Sequence, residues 1–543
     1  SEESRILNRA ASATRKHRAQ MALRPPDIPA SAGDVLDGAL ARHPDREALV
    51  ASDGRFTYRE LDDAADRTAA ALSALGVHRG DVLAVSLPNA SDVVVTFHAA
   101  MRLGALWLGI NRNLASPEKR FILDDAGARM LLADADVASA LADGRASSGR
   151  AQVVTISTGM SDPESTWRQL TRDAGTSYER VASDPSDPAG IAYTSGTTGR
   201  PKGVVHSHRN ILLPGAMLIA ARGFGEELRK GDCAALTILN MQVTATLLVA
   251  QAGGTQVVMD RLDPPGIADW VNRERVTSWF GVPTLLHGLT EAADAGDISA
   301  DDLVSLVDLW SGGTYVPAPI RAAFERRFGI RVHATYGLTE APTVVTIEPR
   351  DEPHVPGASG TALPHLCVEV RDESGAVLPV GHAGEITVRS HDQGPWQDCY
   401  APMLEYHHQP EASAKALRDG VLYTGDVGEL DAAGNLFVHD RRNALILRGG
   451  ANVYPAEVER VLLESPDVVG AAVIGISDDR LGQRVAAAVE LRPDATATVD
   501  ELADHCRRNL AKYKVPEQWK IAVLPRNAMG KVSRIDVARF FEY

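Results

Sequence analysis

The stretch YTSGTTGRPKGVVHSH, Tyr193 to His208, concentrates residues able to hold phosphate. Gly196, Gly199 and Gly203 are interleaved with the hydroxyls of Thr194, Ser195, Thr197 and Thr198, and Lys202 adds a cation. Small residues let backbone amides converge on an anion, and the hydroxyls supply further donors. The order differs from the common nucleotide loop, G-x-x-x-x-G-K-[ST], whose lysine opens a helix. Counting from Gly196, Pro201 stands where the second glycine should be, and Gly203 follows Lys202. Proline removes an amide and fixes φ, so the wrapped turn of that motif is not available here. A mobile polar turn would have the same glycine and hydroxyl content. The full run, following the apolar strand AGIAY (189–193), favours phosphate.

Four further segments carry matching chemistry. TYGLTE (335–340) offers a carboxylate, Glu340, beside Thr339, a hard-oxygen pairing suited to Mg²⁺ on phosphates. YTGD (423–426) ends on Asp426, a two-oxygen acceptor suited to a diol, and is followed by DRR (440–442). RGGANVYPAEVE (448–459) pairs Gly449 with Gly450, and LPRNAMGKVSR (524–534) carries Lys531. Taken singly, Glu340 could be a helix N-terminal acid, Asp426 a turn residue and Lys531 a surface lysine.

Together, in this order and spacing, the five segments resemble the signatures of the adenylate-forming enzymes: acyl- and aryl-CoA synthetases, luciferases and the adenylation domains of peptide synthetases. The resemblance runs from about residue 30 to 540 and is strongest to acyl- and aryl-CoA ligases. It implies the following roles. The loop from Thr194 to Lys202, with Gly313, Tyr336 and Gly337, binds ATP. Thr339 meets phosphate, and Glu340 with Thr194 holds Mg²⁺. Asp426 and Arg441 bind ribose. Gly449 and Gly450 line the path of the coenzyme A thiol, and Lys531 contacts carboxylate and phosphate during adenylation. Thr339, Glu340 and Lys531 form the catalytic set. The reaction implied is activation of a carboxylic acid by ATP, then transfer to coenzyme A. A carrier protein or another non-CoA acceptor is the alternative, and a nucleotide-binding protein with a frozen hinge is the non-catalytic one.

Two departures stand out. Where the family shows Lys-Asp at the hinge, this chain has Asn443 and Ala444, which puts domain rotation and the thioester step in question. Where many CoA ligases carry Pro-Leu-Phe-His, this chain reads LTILNMQVTATLL (236–248), with Asn240 and Gln242. Asn240 either faces the acid or caps a helix. His287, Ser311 and Gly312 complete the expected acid pocket. The length of the acid is not fixed by these residues.

These segments need a scaffold that presents loops at strand ends. Short apolar runs at 47–52, 82–87, 129–134, 255–260 and 276–282 alternate with helical patterns such as 57–76, which predicts an α/β fold of helix-covered parallel sheets. From about 355 to 439, alternating strands broken by turn residues predict a β-rich subdomain. The expected division is an N-terminal arm (1–30), an adenylation domain (31–439), a hinge (440–444) and a small mobile α+β lid domain (445–543).

The 543 residues exceed one ordinary core. A formal charge of −15 argues against nucleic acid and anionic membranes as partners. The cluster Arg15, Lys16, His17 and Arg18 reads as a solvated face of the arm. No apolar run approaches the ~20 residues that span a bilayer. Cys233, Cys367, Cys399 and Cys506 lie far apart, without metal-ligand spacing, which predicts a reducing cytoplasm.

Overall fold

The structure is a computed structural model. It describes residues 28–142, 152–156, 166–194, 201–313, 316–441, 446–448, 451–478, 482–510, 512–526 and 532–542. Most of the N-terminal arm, residues 195–200, Asn443, Ala444, Gly449, Gly450 and Lys531 therefore lie outside the described residues.

Two large sheets carry the α/β part. In the first, nine strands run in the order Thr361–Ala362, Thr343–Ile347, Val332–Leu338, Asp308–Ser311, Ser278–Phe280, Arg229–Asp232, Thr255–Val258, Glu47–Ala51 and Gly54–Thr57. Its central pairings, from Val332–Leu338 to Glu47–Ala51, are all parallel. In the second, seven strands run from Glu405–Tyr406 through Lys202–Ser207, Pro188–Thr194, Leu106–Gly109, Val82–Ser86 and Met130–Ala133 to Gln152–Thr155. Strands such as Val82–Ser86 and Asp308–Ser311 are buried at every residue, as parallel strands covered on both faces must be.

Helices fill the space between these sheets. Ser91–Arg102 is buried at every residue but Asp92. One continuous apolar cluster joins Leu49 of the nine-stranded sheet to Leu83 and Trp107 of the seven-stranded sheet, through Phe97 of that helix. Helix Tyr58–Ala74 matches the expected pattern. It opens on a capping box between Thr57 and Glu60 and ends before Gly76, whose φ of +86° suits glycine. The expected strand at 276–282 is shorter, Ser278–Phe280, because Pro283 opens the next helix.

The predicted β-rich region forms an antiparallel sheet of Cys367–Arg371, Gly384–Arg389, Val421–Leu430 and Leu417–Arg418, with Leu436–Arg441 paired to Val421–Leu430. The last hundred residues build a separate sheet around the long pair Val468–Asp478 and Gly482–Leu491. Helices Pro455–Leu463 and Val499–Asn509 share its own apolar cluster, from Val458 to Cys506. The fold is thus mixed α/β, with parallel sheets, a β-rich region and a small C-terminal α+β unit. Among the described residues, no helix is long and apolar enough to cross a membrane.

Candidate active site

The glycine-rich stretch is held by two antiparallel strands, Pro188–Thr194 and Lys202–Ser207, with Thr194 directly opposite Lys202. The hydroxyl residue that opens the loop and the lysine that closes it therefore face each other across one rung. Gly203 allows a close approach here: a Cβ on it would lie 3.0 Å from both Ile191 and Tyr193.

The second signature is the end of strand Val332–Leu338 and the turn after it. That strand pairs in parallel with Asp308–Ser311, with Ser311 opposite Ala334. Ser311 and Gly312 thus become neighbours of TYGLTE, and a Cβ on Gly312 would sit 2.7 Å from the Thr335 carbonyl oxygen. Gly337 is tighter still, because its Cβ would fall 1.8 Å from the Thr343 carbonyl oxygen. Thr343, which leads the chain back, has φ +70°, an unusual conformation for a β-branched residue. Gly313, at φ +77°, provides the left-handed turn after Ser311.

Several side chains from distant segments converge on Thr339 and Glu340. Asn240 donates through Nδ2 to Thr339 Oγ1 at 3.3 Å. His206 Nε2 lies 2.8 Å from the Thr339 carbonyl. A carbonyl only accepts, so Nε2 carries the hydrogen. His206 is fully buried, and burial lowers its pKa to about 4, leaving the ring neutral near pH 7. Tyr406 Oη donates to Glu340 Oε1 at 2.8 Å, and Met403 N donates to the Glu340 carbonyl at 2.9 Å. Tyr406 belongs to the two-residue strand beside Lys202–Ser207. The Lys202 ammonium stands 4.9 Å from the centre of its ring.

The third signature is equally well supported. Asp426 is 6% exposed and accepts from Tyr336 Oη at 2.7 Å, so TYGLTE and YTGD are cross-linked. Thr424 Oγ1 accepts from the Asp426 amide at 3.1 Å. Asp426 also pairs with Arg441 in register, and Val427 with Asp440, which brings YTGD beside Asp440 and Arg441 as backbone.

The expected acid pocket is only partly assembled. Asn240 lies inside the short helix Leu239–Met241, whose N-cap is Ile238, so it does not act as the cap. Gln242 is fully buried at the start of a π-helical turn, Gln242–Leu247, and its Nε2 donates to the Leu236 carbonyl. π-turns of this kind recur at functional sites. Ser311 is fully buried. His287 instead pairs with Glu291, one turn along its own helix, at 3.4 Å. Among the described residues, no hydrogen bond joins His287 to Thr339 or Glu340. His206 and Tyr406 were not anticipated from sequence. His206 lies within the opening stretch and Tyr406 outside every quoted motif, and their partners at Thr339 and Glu340 are 133 and 66 positions away.

The donor set can be tested against Mg²⁺. Among the described residues no ion pair neutralises Glu340, and no group of three or more His, Cys, Asp or Glu side chains could hold a metal alone. A single carboxylate with nearby hydroxyls fits Mg²⁺, which takes most of its ligands from phosphate oxygens and water.

Comparison with known proteins agrees with this geometry. Residues 36–394 match the family described as AMP-binding enzyme, and residues 457–531 match the AMP-binding enzyme C-terminal domain. The chain belongs to the AMP-binding enzyme family. It is 31% identical over 488 residues to the long-chain-fatty-acid–CoA ligase FadD13 of Mycobacterium tuberculosis, covering 89% of this chain and 92% of that protein. It is 34% identical over 504 residues to the 2-succinylbenzoate–CoA ligase of Geobacillus kaustophilus, covering 91% of this chain and 95% of that protein. Among solved structures, the O-succinylbenzoate coenzyme A synthetase of Bacillus subtilis, in complex with ATP and magnesium ion, superposes with a TM-score of 0.80. It is 29% identical and covers 93% of this chain and 99% of that chain. The protein is accordingly an AMP-forming acid–CoA ligase of the acyl- or aryl-CoA type, working through an acyl-adenylate.

Proposed function

We propose that the chain activates a carboxylic acid with ATP as an acyl-adenylate, releases pyrophosphate, and then transfers the acyl group to coenzyme A, releasing AMP. The observation that carries this reading is the convergence on Thr339 and Glu340 of Asn240, His206 and Tyr406, the last lying under Lys202. It sets the phosphate-loop strand and Asn240 beside Thr339 and Glu340, which supports reading them as one site.

In the first step two anions must meet, so positioning and charge neutralisation set the barrier. Asp426, braced by Tyr336, would hold the ribose hydroxyls together with Arg441. Thr194, Ser195, Thr197, Thr198 and Lys202, with the amides of Gly196 and Gly199, would grip the phosphates that leave as pyrophosphate. Mg²⁺ held by Glu340, Thr194 and the phosphates would neutralise the charge that builds on the leaving group. Lys531 would bring the carboxylate to the α-phosphate. In the second step the lid (445–543) would turn about residues 440–444, replacing Lys531 with Gly449 and Gly450, whose bare backbone leaves room for a pantetheine arm.

The acid would lie against Asn240, Gln242, Ser311 and Gly312. The amide oxygens of Asn240 and Gln242 are buried without a hydrogen-bond partner among the described residues, which favours an acid with a donor group along its length over a plain alkyl chain. All four cysteines are free, which supports a reducing, cytoplasmic setting.

Lys531→Ala tests the division of labour. Adenylation, read as acid-dependent exchange of labelled pyrophosphate into ATP, should fall by about 10²- to 10³-fold, as for loss of one charge-stabilising donor. Thioester formation from a preformed adenylate should stay within about threefold. Equal loss in both half-reactions would reject this role.

A further inference from the structure

We infer that Tyr406 is a positioning residue that couples the phosphate-loop lysine to the metal-binding carboxylate. Its hydroxyl donates to Glu340 Oε1 at 2.8 Å, and its ring lies under the Lys202 ammonium at 4.9 Å. One side chain thus touches both charged groups that the reading above assigns to the phosphates, and the inference rests on that reading.

The backbone explains why the position is rigid. Residues 403–407 form a strap between the two signatures. Met403 N donates to the Glu340 carbonyl, Leu404 N to the Val205 carbonyl, and His407 N to the Gly203 carbonyl at 2.7 Å. Tyr406 pairs with Val204, two residues after Lys202. Any shift of the glycine-loop strand therefore moves the ring and, through its hydroxyl, the carboxylate.

The two contacts do different physical work. A hydrogen bond from a neutral hydroxyl occupies one carboxylate oxygen without cancelling its charge, so the other remains a ligand of fixed direction. The ring face offers a cation weak attraction and a dry wall, which holds Lys202 to one side without neutralising it. A cation against Glu340, or an anion against Lys202, would cancel the charge that the site requires. Tyrosine orients both groups while preserving both charges.

The test uses the full-length protein, its Tyr406→Phe, Tyr406→Leu and Glu340→Gln variants, and the double variant Tyr406→Phe with Glu340→Gln. Mn²⁺ binding in the presence of ATP is read by electron paramagnetic resonance, and the Mg²⁺ dependence of pyrophosphate exchange is read beside it. Tyr406→Phe should weaken ATP-dependent Mn²⁺ binding and raise the half-saturating Mg²⁺ by about tenfold, the scale of a hydrogen bond to a charged group. Its affinity for metal-free ATP should be unchanged, because the ring remains against Lys202. Tyr406→Leu should in addition raise KM for ATP. In the Glu340→Gln background, Tyr406→Phe should change nothing further. Wild-type metal titrations for Tyr406→Phe, or additive effects in the double variant, overturn the coupling. Glu340→Gln with unaltered Mn²⁺ binding overturns the underlying metal assignment instead.

Discussion

At the scale of single residues, chemistry and packing compete for the same atoms around Gly337. A backbone carbonyl stands where its Cβ would go, and a carbonyl, unlike the end of a flexible side chain, cannot move aside. Gly337→Ala should therefore cost about 1–3 kcal/mol by overpacking. Denaturant unfolding should show a lower midpoint, and adenylation should fall because Tyr336 and Thr339 flank the displaced turn. A variant with wild-type stability would contradict the tight contact. The motif residues Thr339, Glu340 and Asp426 were legible in the sequence because their types, order and spacing are specific. His206 and Tyr406 were not, since a histidine in a strand and a tyrosine beside two histidines have many uses. Only the folded chain sets them against Thr339 and Glu340. The position of Asn240 was legible, but its role as a cap was excluded by Ile238 at the helix start.

At the scale of elements, strands with continuous apolar runs could be read directly, because parallel strands are buried on both faces. Their partners could not, since hydrophobicity carries no information about which buried strand lies beside which. The π-turn at Gln242–Leu247 was also invisible, as one extra residue per turn leaves the composition of LTILNMQVTATLL unchanged. The strand Asp308–Ser311, which delivers Ser311 and Gly312 to the site, is fastened by a buried pair. Asp308 and Arg222 are both almost fully buried, Asp308 also accepts from Trp310, and Arg222 Nη1 donates to the Glu348 carbonyl at 2.9 Å. Asp308→Ala leaves a buried guanidinium without its carboxylate and should cost about 3–5 kcal/mol. Replacing both members with apolar residues should recover part of that loss. Chemical denaturation of the single and double variants measures the difference, and a double variant as unstable as the single one would contradict the electrostatic cause.

At the scale of the whole molecule, buried histidines make stability depend on pH. Burial holds His206 and His208 at about 4, and His98, His333 and His365 at about 3. The unfolded chain takes up these protons near pH 6.5 and the folded chain does not, so their stabilisation is present above pH 6.5 and is lost as pH falls through the folded values. Each contributes up to about 1.4 kcal/mol per pH unit in that window. The lowered carboxyls of Glu325 and Glu348 act in the same sense at lower pH. Asp92 and Asp232, raised to about 6 by burial, act oppositely, favouring the folded state as pH falls through 6. His354, raised by Glu325 and Glu348, also acts oppositely, its contribution fading only as pH rises through its folded value. Five histidines outweigh two aspartates, so Tm should drop between pH 7.5 and pH 5, as calorimetry can show. A constant or rising Tm would contradict the neutral burial of these rings. How the two large sheets come to share one apolar cluster was not legible, because hydrophobicity does not say which buried strand or helix faces which.

In the proposed reaction one site forms an acyl-adenylate and then a thioester. The most direct measurement is pyrophosphate release from ATP across a panel of aromatic acids and short to long fatty acids, with and without coenzyme A, with AMP and thioester followed together. At least one acid class should drive pyrophosphate release without coenzyme A, while turnover to AMP and an acyl thioester should require it. Formation of ADP and phosphate, or no acid-dependent pyrophosphate exchange with any acid, would contradict that reaction.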